Sequence, residues 1–154
     1  MKKFILYIAL ILPATLAAQN WKLPVITSPK FKKDTLNIVK AGAVPDGFTL
    51  NTQAINSSIE ALSKKGGGVV LVPKGLWLTG PIVLQSNVNL HLATGSTLLF
   101  TKDKSQFPLI EANWEGLPQM RNQSPISATG ARNIAITGKG IIDGNGDEWR
   151  AVKK

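Results

Sequence analysis

Apolar residues follow two different periods along this chain. Between positions 51 and 64 the spacing is helical: Ile55, Ile59 and Leu62 stand at i, i+4 and i+7, with Ala54 and Ala61 beside them. Such a stripe must lie on something apolar. Thr49 or Asn51 suits the start of this helix, Lys64 and Lys65 fall in its last turn, and Gly66 takes the left-handed position beyond it. Upstream, Leu36–Val39 fits a short strand and Ala43-Val44-Pro45-Asp46-Gly47 a turn. From Gly66 onward short β-rich runs follow one another: Val69–Val72, Leu76–Thr79, Pro81–Leu84, Val88–Leu92, Thr97–Phe100, Pro125–Ala128, Ile134–Thr137 and Gly140–Asp143. Gly, Asn, Pro or Ser punctuates them.

No helix long enough for a crossover separates these runs, which excludes a doubly wound sheet. An antiparallel sandwich or barrel and a parallel solenoid remain, and an internal echo chooses between them. Asn87-Val88-Asn89-Leu90-His91-Leu92, then Gly95 and Leu98-Leu99, is repeated in kind by Asn133-Ile134-Ala135-Ile136-Thr137, then Gly140-Ile141-Ile142. A short apolar strand precedes each. Repetition of a whole strand–turn–strand unit marks a solenoid coil. Val88, Leu90 and Leu92, and likewise Ile134 and Ile136, then point into a narrow core, while His91 faces away from it. The turn asparagines are placed to stack, and glycines permit the corners. The two echoes lie further apart than one coil, and the excess falls at residues 101–124, with Pro108, Trp114 and Pro118. This stretch is predicted to be an irregular loop standing out from the wall. The helix at 51–64 becomes the N-terminal cap of the first coil.

The first residues alter the count of domains. Met1-Lys2-Lys3, the apolar run Phe4–Leu12, Pro13 and the small residues Ala14, Thr15, Ala17 and Ala18 have the layout of a signal peptide cleaved after Ala17 or Ala18. The run is about half the roughly 20 residues that span a bilayer, so no membrane span is expected. The predicted organisation is a signal peptide at 1–18, a Lys- and Pro-containing leader at 19–35, and a solenoid domain at 36–154, secreted or periplasmic. Without Lys2 and Lys3, 16 basic residues face 9 acidic ones, a net +7. The lysines are dispersed rather than arrayed on one element, and the protein is exported, so nucleic acid is a poor partner. An acidic polysaccharide suits it better. With no Cys and one His, disulfides, thiolate metal sites, a Cys nucleophile and a two-His zinc site are excluded. No metal or cofactor is expected.

Specific runs carry a resemblance. Gly42-Ala43-Val44-Pro45-Asp46-Gly47 to Thr49, with Thr52, Ala54, Ile55 and Ile59, and then Gly66-Gly67-Gly68-Val69-Val70-Leu71-Val72-Pro73-Lys74-Gly75 to Thr79-Gly80, resemble the entry segment of the pectin-lyase-like superfamily. Asn133 through Gly146, ending Asp143-Gly144-Asn145-Gly146, with Trp149, resembles glycoside hydrolase family 28, the polygalacturonases and their relatives. Trp114-Glu115-Gly116 is similar to bacterial, exo-acting members. The resemblance covers about residues 36–150. It implies an all-β, right-handed parallel β-helix with an N-terminal capping α-helix, hydrolysing α-linked galacturonan in pectin by an inverting mechanism. In such mechanisms one carboxylic acid protonates the leaving oxygen and a second carboxylate activates water.

The family's Asn-Thr-Asp, Asp-Asp, Gly-His-Gly and Arg-Ile-Lys motifs do not occur in this sequence. The chain therefore resembles the N-terminal part of such an enzyme, truncated before its catalytic coils, and no catalytic residue is assigned. Arg150 also stands where many relatives carry a second Trp. The acidic cluster Asp143, Asp147 and Glu148 belongs to a structural turn, and it fails as a calcium loop because Glu148 replaces the needed Gly. Gly66-Gly67-Gly68 ends a helix and lacks the Lys-Ser/Thr of a phosphate cradle. Asn56-Ser57-Ser58 and Asn122-Gln123-Ser124 match the glycosylation sequon. Trp114 and Glu115, on the inserted loop, are the candidate substrate contacts, Trp114 as a platform for a sugar ring or as a pin holding the loop. Two rival readings remain: a pectate-type polysaccharide lyase on the same fold, and a non-catalytic β-helix that binds polysaccharide.

Overall fold

A strand in a coil of this kind has one inward face, and it stays dry only if the next coil places an apolar residue directly above it. The structure, a computed structural model, describes residues 23–150 and shows this stacking; the signal peptide expected at 1–18 lies outside the described residues. The strands are β1 (Thr35–Asn37), β2 (Gly68–Val72), β3 (Gly75–Thr79), β4 (Ile82–Val83), β5 (Val88–Leu92), β6 (Ser96–Phe100), β7 (Leu109–Trp114), β8 (Leu117–Asn122), β9 (Ile126–Ser127), β10 (Ala135–Gly138) and β11 (Ile141–Asp143), with helices α1 (Thr52–Lys64) and α2 (Asp147–Arg150). Three parallel sheets form the walls, in the orders β1-β2-β5-β10, β3-β6-β11 and β4-β9. This is the parallel β-helix that the repeated unit predicts.

Register places like over like. Val70 lies opposite Leu90, and Leu90 opposite Ile136; Trp77 lies opposite Leu98, and Leu98 opposite Ile142; Ile82 lies opposite Ile126. Val70, Val72, Trp77, Ile82, Val88, Leu90 and Leu98 are fully buried, each worth about 1.5–3 kcal/mol relative to exposure. Buried Trp77 gives its indole N–H to the Pro73 carbonyl at 2.7 Å, so the large ring enters the core without an unsatisfied donor. Outside the core, the walls pair polar residues. The Thr137 hydroxyl donates to Asn89 Oδ1 (3.0 Å) and accepts from His91 Nδ1 (2.8 Å), on the outward face where alternation puts His91.

The corners obey the same stacking. Asn87 and Asn133 both adopt left-handed backbone, φ 66° and 54°, and Asn133 Nδ2 donates to Asn87 Oδ1 at 3.1 Å. Asn tolerates this conformation better than other non-glycine residues. The leader closes on this ladder: Lys30 N–H donates to Asn133 Oδ1 (3.2 Å), and Asn133 Nδ2 donates to the Lys30 carbonyl (2.8 Å). Gly138 is required at its corner because its φ is +105° and a Cβ there would collide with the Leu92 carbonyl.

Helix α1 buries Ile55, Ile59 and Leu62 against β2, β4, β5 and the 3-10 turn Ile38–Ala41, capping the first coil. Asn56 uses both ends of its amide, donating to the Pro81 carbonyl and accepting from Val83 N–H, each at 3.0 Å. One sequon asparagine is thus committed to docking the helix. Asn51 sits at the N-cap position, as expected, yet makes no capping bond. Its Oδ1 accepts from Val44 N–H (2.7 Å), and its Nδ2 lies in donor range of the carbonyls of Val44, Thr49 and Leu78 (3.0, 2.9 and 3.1 Å). The buried side chain clamps the entry turn to β3, and the backbone N–H of Asn51 adds a second bond to the same Leu78 carbonyl (2.8 Å).

Two expectations are corrected. The strand expected at Leu36–Val39 begins and ends earlier, as β1, since Asn37 Oδ1 accepts from Val39 N–H and starts the 3-10 turn. The loop expected to be irregular at 101–124 holds a regular antiparallel hairpin, β7–β8.

Two consequences are measurable. Asn51→Ala removes a buried amide that holds Val44 and Thr49 to β3 and is expected to lower stability by about 1–3 kcal/mol, read by urea denaturation; a loss below about 0.5 kcal/mol would remove the clamp from this account. In the entry turn, Asp46 has its pKa lowered from 3.8 to about 2, first by the Thr49 hydroxyl, then by the Thr49 and Phe48 N–H groups. A depressed carboxylate contributes stability that is complete above its unfolded pKa and is lost as pH falls toward the folded one. Thermal stability is therefore expected to fall between about pH 4 and pH 2, and Asp46→Asn to flatten that part of the profile.

Candidate functional site

The hairpin leaves and re-enters the second coil without disturbing its register. At the exit Thr101 N–H donates to the Thr79 carbonyl, and at the return Ile82 N–H donates to the Pro125 carbonyl, both at 2.8 Å. The base is tied by Gln123 N–H to the Pro108 carbonyl (2.8 Å) and by Asn122 Nδ2 to the Phe107 carbonyl (2.9 Å). The second sequon asparagine is therefore also structural. Phe107 is buried in the core and meets Trp149 of α2 edge-on, with ring centroids 5.2 Å apart. Ahead of the hairpin, Asp103 caps the 3-10 turn Lys104–Gln106; the Ser105 hydroxyl, the Ser105 N–H and Gln106 lower its pKa.

At the hairpin tip Glu115 (φ 52°) and Gly116 (φ 88°) form a two-residue turn, and Asn113 Oδ1 accepts from Gly116 N–H at 2.8 Å. Positive φ at both positions is what tight hairpins need, since that turn follows the strands' right-handed twist. Glu is an unusual residue there, which is why the turn is hard to see in the sequence.

Between the hairpin and the segment that follows the third coil lies a cleft of about 820 Å³. Trp114, Gln119 and Arg121 of the hairpin line it together with Lys104, ahead of the hairpin, and Gly144, Gly146 and Trp149 of the last segment. In the Asp-Gly-Asn-Gly turn of that last segment, Asp143 Oδ1 accepts from Asn145 N–H (2.8 Å), and Asn145 Nδ2 donates to the Phe100 carbonyl (3.1 Å). Asp143 and Asn145 thus fix a wall of the cleft, while Gly144 and Gly146 offer it bare backbone.

Of the two residues singled out from sequence, Trp114 lines the cleft and is 52% exposed. Glu115 sits in the turn at the tip, outside the cleft lining. Sequence reasoning missed Lys104, Arg121 and the wall position of Trp149. The Arg121 guanidinium lies over the Trp114 ring, 4.1 Å from its centroid, and Lys104 Nζ is 5.8 Å from the centroid of Trp149. Each cation is held by an aromatic face. Among the described residues no Asp or Glu lines this cleft, and neither cation has an ion-pair partner. A site so composed attracts and orients an anion.

No family model matches the chain. Individual relatives do. An exo-poly-alpha-D-galacturonosidase of Dickeya chrysanthemi is 39% identical over 123 residues, 75% of this chain and 20% of that protein. The crystal structure of a hyperthermoactive exopolygalacturonase from Thermotoga maritima superposes with a TM-score of 0.71 at 36% identity, over 77% of this chain and 27% of that one. The family 28 exopolygalacturonase of Yersinia enterocolitica gives 0.68 at 34% identity, over 74% and 21%. The chain thus spans about a fifth to a quarter of the length of these relatives. Over about three-quarters of its length the chain is thus similar, in sequence and in coil register, to family 28 exopolygalacturonases.

Proposed function

We propose that the protein is an exported glycoside hydrolase acting on the α-linked galacturonan of pectin, and that the coils described here bind that acidic polymer rather than perform its hydrolysis. The observation that carries this reading is the cleft beside the hairpin: cations on aromatic faces, amide side chains, and no carboxylate among its described lining residues. The likeness to polygalacturonases supplies the substrate class. Inverting hydrolysis needs two carboxyl groups roughly 6.5–9.5 Å apart across the glycosidic bond. Asp143 is engaged by its own turn, and Asp46 and Asp103 hold turns elsewhere, so the three hold backbone rather than substrate.

The second reading, a β-helix that binds polysaccharide without cleaving it, is favoured by the same composition of the cleft. Product analysis separates the readings. The natively exported protein, and not the coils described here by themselves, is expected to release saturated reducing ends from polygalacturonate, with inversion at the anomeric carbon seen by proton NMR. Unsaturated uronides, read by their ultraviolet absorbance, would make it a lyase instead. Retention of the polymer with no product of either kind would leave the binding reading and end the claim of turnover.

Export has its own check. Mass spectrometry of the native protein is expected to find an N-terminus at Ala18 or Gln19. An intact Met1 on the mature protein would overturn the signal peptide.

A further inference from the structure

Trp114 offers the obvious sugar platform, yet one of its faces is taken. The Arg121 guanidinium lies 4.1 Å from its ring centroid, and Trp114 and Arg121 stand on the same side of the β7–β8 ladder, since Trp114 pairs with Leu117 and Arg121 with Ile110. In the same cleft Lys104 lies over Trp149, whose edge-on contact with buried Phe107 anchors the indole to the core. The two cations are built alike, each resting on an indole and facing the same opening.

We propose that Arg121 and Lys104 are the carboxylate-selecting residues of this cleft, and that Trp114 acts as a positioning residue for Arg121 rather than as a stacking platform for sugar. The inference rests on the reading of the cleft as a uronate-binding site and assigns its selectivity. Three features carry it. Neither cation has an acidic partner among the described residues, so the charge is available to a ligand. The indole faces restrict the rotamers of both side chains, which reduces the ordering cost of binding. Arg121 also presents a planar fork suited to a carboxylate, and the Gln119 amide beside it lines the same cleft without a hydrogen-bond partner among the described residues, free to meet sugar hydroxyls. Methyl-esterified uronate keeps the sugar shape and loses the charge, so the cleft discriminates between the free acid and its ester.

The test uses the whole protein and two probes, a short oligogalacturonide and its methyl ester, with binding read by calorimetry and folding by circular dichroism. Arg121→Met and Lys104→Met are each expected to weaken the free acid by about tenfold or more and leave the ester unchanged. Trp114→Ala is expected to match Arg121→Met in this selective loss, and Arg121→Lys to recover part of it. If Trp114→Ala weakens acid and ester alike while Arg121→Met changes neither, Trp114 is a sugar platform and the inference is overturned. Equal wild-type affinity for acid and ester, or affinity for neither, overturns it as well. Hydrolysis of polygalacturonate persisting in any of these cases would leave the family activity standing apart from it.

Discussion

Everything in this structure depends on vertical stacking inside a parallel coil. A single coil has too little interior to bury its own side chains, so each inward residue is dry only beneath its counterpart in the next coil. Val70 under Leu90 under Ile136, and Trp77 under Leu98 under Ile142, are columns of this kind. A slip of one residue would turn every column outward, which makes register the most strongly specified property of the fold. At the third coil, the last among the described residues, the columns are open: Ile136 is 41% and Ile142 43% exposed. At the other end α1 covers the first coil, with Ile55, Ile59 and Leu62 buried against β2, β4 and β5.

Because register is held by the walls, the corners are free to differ. The hairpin enters and leaves the second coil through backbone bonds at Thr101 and Pro125 that would exist with a tight turn in its place. Its own strands need only pair with each other, so β7 and β8 carry exposed and charged residues that no wall strand would tolerate. A solenoid can thus carry an inserted element without loss of its core; Arg121 stands on this hairpin and Lys104 in the turn ahead of it. Polar side chains do the remaining work of fixing irregular backbone to the coils: Asn51 clamps the entry turn, Asn56 docks the helix, and Asn145 ties the last turn to Phe100.

Much of this was legible in the sequence. The period-two runs with repeated Asn and Gly positions determined the coil, because alternation and corner chemistry are local properties of a strand and its turn. The stripe Ile55, Ile59, Leu62 determined a helix with one buried face, and the Asp-Gly-Asn-Gly run marked a structural turn. The short 3-10 turn at Ile38–Ala41 was not visible, since it is started by a side-chain bond from Asn37 rather than by any periodic pattern. Nor was the hairpin, whose alternation is erased by its solvent exposure on both faces and whose turn uses Glu115 where Asn or Gly would have announced it.

What only the tertiary structure decided was which distant residues meet. Trp114 could be singled out from its type and place, but not that Arg121 would cover its ring, because that depends on a pairing register set by the turn at Glu115 and Gly116. Lys104 and Trp149 are 45 positions apart and become neighbours only because the coils stack and Phe107 meets the indole edge-on beneath the lysine's turn. The sequence by itself specifies elements whose causes are local. The cleft is long-range in origin: its charge and its aromatic faces come from segments that touch only after three coils have been laid one upon another.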